Sequence, residues 1–177
     1  VFSTGGASLQ QVEFKRNWGG KQGYLATIFP PAYNNREQLA FLLAFDSATP
    51  ILYDFLGKKE EQERTIVKFE GDTEQAIVEK QFTVFHNEHR VALDVTITPK
   101  AGVTILPRLL FPAPMIAELG QKDVINGLSS TPKNSLAIAK ANEELFEKFW
   151  LKPTLFGAED RYFIHALVAD TNYFVQR

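Results

Sequence analysis

The chain has 177 residues and a mass of 20.0 kDa, with 45% hydrophobic and 23% charged residues, the composition of a globular domain with a substantial core. Its net charge of −2 and pI near 6.0 argue against a nucleic-acid partner, which would need a basic stripe. With no cysteine and no run of 18 apolar residues, it offers no disulfide, thiolate nucleophile, Cys-ligated zinc site or helical membrane span.

The basic pairs Lys15-Arg16 and Lys58-Lys59 are too short for nucleic acid and read as solvated edges or loops. Fifteen phenylalanines against one methionine tilt the chain toward pleated, half-buried surfaces. It opens without an initiator Met, inside a strand lead-in, which reads as an excised domain or a processed product.

In chain order, Gln10 to Arg16 alternates, with Val12 and Phe14 facing one way and Gln11, Glu13 and Lys15 the other. Pro30-Pro31 breaks regular structure and predicts a loop before a strand around Leu39 to Phe45. Val67 and Phe69 alternate with Lys68 and Glu70, and Gly71-Asp72 signals the following turn. From Ala76 to Phe85, Val78, Phe82 and Val84 share a face with Lys80. From Arg90 to Thr98, Val91, Leu93, Val95 and Ile97 form another apolar face. These two runs flank His86-Asn87-Glu88-His89-Arg90 and predict a hairpin.

Further on, prolines 107, 112 and 114 leave room for a short helix at most after Pro114. Residues 127–135 read as a polar loop, and the Ala, Glu, Leu and Lys density from Leu136 to Trp150 predicts a helix. Gly157 to Arg161 reads as a charged turn launching an apolar strand with His165 at its centre, covered on both faces. The expectation is one all-β domain over residues 1–177, β-rich with one or two short helices.

The residues give little catalytic chemistry. His86 and His89 have HxxH spacing, but residues three apart on a strand face opposite sides, and a third ligand is missing. A solvated hairpin tip is the simpler reading. His165 reads as a core histidine with a hydrogen-bond partner rather than a base. Glu60, Glu61 and Glu63 beside Lys58, Lys59 and Arg64 form a solvated mixed-charge turn, and Glu143, Glu144 and Glu147 an exposed helix face. Gly5-Gly6 and Gly19-Gly20 lack phosphate-loop spacing. The expected set is no catalytic, cofactor-binding or metal-ligating residue.

Three stretches in order resemble the extracytoplasmic domain of the YidC family of bacterial membrane protein insertases. Val1 to Asn17, VFSTGGASLQQVEFKRN, resembles its opening, a Ser-Thr and two glycines before an alternating strand. Ile77 to Thr98, IVEKQFTVFHNEHRVALDVTIT, resembles its Lys-x-Phe-x-Phe hairpin. Phe156 to Asp170, FGAEDRYFIHALVAD, resembles its acidic turn followed by Arg-Tyr-Phe and an apolar strand, with Phe156 where the family has tryptophan. Together they cover about a third of the chain. The segment Ala141 to Trp150 has no match in the pattern, and the chain stops at Arg177, short of the strands and amphipathic helix that lead into the family's membrane core.

The resemblance implies a β-supersandwich like that of galactose mutarotase, on the periplasmic side of the inner membrane and attached to it through segments absent here. It implies no catalytic residues and no cofactor. The implied role is a scaffold or contact surface, with Sec translocon accessory subunits and nascent membrane proteins as candidate partners. The competing reading is a sugar-binding or aldose-epimerase-like sandwich, in which His86, His89 or His165 converges with Glu118 or Glu159 on an anomeric centre. A lipid- or peptide-binding groove is a third reading of the aromatics, against the simpler one of core packing.

Overall fold

The computed structural model describes residues 1–18, 21–28, 40–45, 51–110, 115–116, 126–131, 134–140, 153–159 and 164–169. Among them it is all-β, with fifteen strands and no helix. The chain divides into two compact units, Val1–Val12 with Phe29–Pro112, and Glu13–Ile28 with Ala113–Arg177.

The first unit is built on an antiparallel sheet of four consecutive strands, β6 (Asp54–Glu60), β7 (Arg64–Asp72), β8 (Ala76–Phe85) and β9 (Val91–Pro99). Two small sheets accompany it, β1 (Phe2–Ser3) with β2 (Ser8–Leu9), and β5 (Leu42–Ala44) with β10 (Arg108–Leu110). The expected strand around Leu39 to Phe45 is thus present as β5, and the expected hairpin at Ile77 to Thr98 as β8–β9. Period-2 alternation sets the large sheet's register. Val67 stands opposite Phe82, and Phe82 opposite Leu93, so the apolar residues of three strands line one face.

That face packs on the N-terminal segment and the turn at Phe41. The Phe82 ring lies 4.7 Å from Phe2, 5.8 Å from Phe41 and 6.2 Å from Phe69, centroid to centroid. Phe82, Val78 and Leu42 are fully buried. Much of the phenylalanine surplus described here is therefore core packing, worth about 0.5–1.5 kcal/mol per aromatic pair beyond the area buried.

The Gly71-Asp72 turn moves by two residues. Both positions belong to β7, and the reversal falls at Thr73 to Gln75. Thr73 fixes it: its Oγ1 accepts from the amides of Gln75 (3.2 Å) and Ala76 (2.9 Å) and donates to the Ala76 carbonyl (2.9 Å). Gly71 serves close approach instead, since a Cβ there would stand 2.8 Å from Ile51 Cγ2 and 3.0 Å from Tyr53 Cδ1.

The second unit holds two sheets. One joins β3 (Gln11–Trp18), β4 (Lys21–Ile28) and β11 (Met115–Ile116). The other runs β13 (Asn134–Lys140), β12 (Asn126–Thr131), β14 (Leu155–Glu159), β15 (Ile164–Val168), all antiparallel.

Here several expectations are corrected. The polar loop at 127–135 is mostly the central strand β12 and the start of its partner, because its backbone pairs on both sides, with β13 and β14. The helix expected from Leu136 begins instead as strand β13. Leu136 and Ile138 also fit a period of two, and the ladder to β12 overrides helix propensity. Residues 141–152, which carry the rest of that helix and its acids Glu143, Glu144 and Glu147, lie outside the described residues. Met115–Ile116, where the prolines left room for a short helix at most, pairs with β4.

Candidate functional site

The sequence-derived candidates fall in separate places. His86 sits where two hairpin ends meet. Its Nδ1 donates to the Gln62 carbonyl at 3.2 Å, and its Nε2 lies 2.8 Å from Thr65 Oγ1. A carbonyl only accepts, so Nδ1 carries a hydrogen. The His86 amide also donates to the Glu63 carbonyl at 2.9 Å. Both ring nitrogens are thus engaged, and among the described residues no three His, Cys, Asp or Glu side chains are arranged to hold a metal ion.

Around this tip the mixed charges pair, with Lys58, Lys59 and Glu60 on strand β6 rather than in the expected turn. Lys58 bridges Glu60, Lys59 reaches Glu61 at 2.8 Å, and Arg64 reaches Glu61 at 2.6 Å. Hydrogen bonds from Lys59 and Arg64 hold the Glu61 carboxyl down at about 2. These pairs are solvent-exposed and add little stability.

The stretch Phe156 to Asp170 carries most of β14 and all of β15, which pair antiparallel. Gly157, Ala158 and Glu159, expected in the turn, extend β14, because Glu159 still pairs with Ile164 and Gly157 with Ala166. Residues 160–163 lie outside the described residues. The two-sided cover expected for β15 is also corrected: Ile164 and Val168 are each about two-thirds exposed. His165 stands opposite Ala158 in the ladder, one residue out of step with Glu159. Glu118 lies outside the described residues.

The notable chemistry is at a residue not singled out from the sequence. Lys80, in the middle of β8, is 1% exposed. Alternation directs it onto the same face as Val78 and Phe82, and its register neighbours there, Phe69 and Val95, are uncharged. Its Nζ donates to the carbonyls of Gly6 (2.6 Å), Phe41 (2.6 Å) and Ala7 (3.4 Å) and lies 5.0 Å from the centre of the Tyr53 ring. Burial pulls the ammonium down from its ordinary range to about 7. Tyr53 is itself buried, its phenol pushed up by desolvation, and its hydroxyl has no partner among the described residues.

The backbone around this ammonium is unusual. Gly6 (φ 75°), Ala7 (φ 39°) and Phe41 (φ 68°) all adopt left-handed conformations, uncommon for alanine and costly for phenylalanine. The bend at Gly6 and Ala7 is held by Ser8 Oγ donating to the Gly5 carbonyl (2.8 Å) and by the Gly6 amide donating to Ile51 (2.8 Å). The twin glycines therefore have a structural use. A Cβ at Gly6 would stand 2.5 Å from Leu42 Cδ1, on a fully buried leucine. Gly6→Ala is expected to cost about 3 kcal/mol in urea denaturation, combining overpacking with the left-handed penalty.

The signal for Lys80 is visible in the sequence as a lone cation on a stripe otherwise made of Ala76, Val78, Phe82 and Val84. Chemically, the site fastens backbone. The amine is shielded from solvent and its hydrogens are committed to carbonyls, which leaves no approach for a substrate.

Comparison of the chain with protein-family models, with curated proteins and with solved structures returns no match.

Proposed function

We propose that the chain is a non-enzymatic extracytoplasmic domain of a YidC-like membrane protein insertase, a scaffold and contact surface for membrane protein insertion. The observation that carries the reading is the resemblance of the three ordered stretches, together with where they fall. Val1 to Asn17 supplies β1, β2 and most of β3; Ile77 to Thr98 lies within the hairpin β8–β9; Phe156 to Asp170 supplies most of β14 and all of β15. Each is a strand-pairing element, as in the family's pattern. An all-β chain with antiparallel sheets suits the supersandwich that this reading entails. Under it the domain stands on the periplasmic side of the inner membrane, with Sec translocon accessory subunits and nascent membrane proteins as its partners.

The aldose-epimerase reading is the alternative, and one measurement separates them. Anomer exchange of glucose and galactose, followed by NMR with the purified chain present, is expected to run at the rate of buffer alone. Acceleration that His165→Ala or His86→Ala abolishes would establish the enzyme instead.

A further inference from the structure

The large sheet of the first unit is fastened to its N-terminal segment partly by aromatic contacts and partly by Lys80, whose ammonium reaches carbonyls of two separate stretches of chain, Gly6-Ala7 and Phe41. We propose that Lys80 is a proton-controlled latch: the Gly5 to Leu9 segment and the Phe41 turn lift from the sheet more readily in acid than in base.

Geometry supplies the mechanism. A neutral amine has two hydrogens, enough for the two 2.6 Å bonds to Gly6 and Phe41, and the 3.4 Å contact to Ala7 is the one lost. The closed latch therefore tolerates the neutral amine. The ammonium must surrender its water to enter the same place. When the segment lifts, Lys80 meets solvent and regains its proton, so opening takes up a proton.

The surrounding charges among the described residues do not compete. Lys68, Glu70, Glu79 and Asp94, adjacent in the sheet, are exposed on its other face. From the N-terminal segment the latch meets Gly6 and Ala7, and from the turn Phe41, none with a titrating side chain. Among the described residues Tyr53 is the titratable group facing it, and burial keeps its phenol protonated.

The sign follows by linkage. The closed state holds Lys80 with a lowered proton affinity, near 7, and the open state holds it near the ordinary 10.5. Between those values the open state carries a proton that the closed state lacks, so closure strengthens as pH rises through the window and is constant below it. From pH 6 to 8.5 the opening constant should fall roughly thirtyfold.

Hydrogen exchange by NMR reads this directly. The amides of Gly6, Leu9 and Phe41, bonded to Ile51, Ala40 and Leu110, are local reporters. After correction for intrinsic exchange, their protection is expected to rise roughly thirtyfold from pH 6 to 8.5, while the β7–β8 ladder amides change much less. In Lys80→Met the pH response should vanish. Flat protection in the native chain, an equal rise throughout the ladder, or a response that persists in Lys80→Met would overturn the latch. Should Lys80→Met fail to fold, direct NMR titration of Lys80 in the native chain decides, since a midpoint at the ordinary lysine value contradicts the proposal.

Discussion

Phe82→Ala is expected to lower the unfolding free energy by about 4 kcal/mol, read from urea denaturation monitored by circular dichroism. Phe82 is fully buried and its ring meets those of Phe2, Phe41 and Phe69, so its removal empties the junction between the large sheet and the segments packed on it. Phe41, one of the rings around the new cavity, is carried on backbone held in a left-handed conformation, which limits collapse into it. A loss of that size is a large share of the stability of an ordinary domain. A loss below about 1.5 kcal/mol would mean that this face is not the core of the first unit.

Lys80→Ala is expected to cost about 3 kcal/mol at pH 7, by a different route. It leaves the carbonyls of Gly6 and Phe41 buried without their donor and removes the aliphatic stem beside Tyr53. Relief from burying a charge offsets part of the loss, because Lys80 holds its proton poorly in the folded chain. Lys80→Met keeps the stem and gains the same relief, so it should cost about half as much. Parallel denaturation of the two variants measures the difference. Equal stability of native chain and Lys80→Ala would show that the carbonyl bonds add nothing.

The first unit was the more legible part of the chain in its sequence. Along β7, β8 and β9 apolar residues alternate with polar ones, interrupted on the inner face by Lys80, and one-sided burial forces that pattern into a single register. The second unit misled at Asn126 to Lys140. Small polar residues such as Ser129, Ser130 and Thr131 pair as well in a central strand as they do in a loop, and Ala-rich β13 satisfies two periodicities over so short a length. The charged run at Glu159 misled for a related reason, since a strand continues as long as its partner is present, whatever the charge of its side chains. Lys80 was legible as a position and not as a role: alternation put it inside, but its three acceptors lie about 40 and 70 residues away along the chain.

The most perturbed base described is spent on backbone carbonyls, and the paired carboxylates at the hairpin end are solvated. Under the proposed insertase reading, the chain would work by holding shape outside the membrane while its surfaces meet partners.

The most direct test is the coding sequence on either side of residues 1–177, followed by membrane fractionation of the full-length product. An insertase domain requires an apolar span upstream of Val1, several downstream of Arg177, and a product that stays with the inner membrane through carbonate extraction. A stop codon directly after Arg177, with a product that carbonate releases, would contradict it.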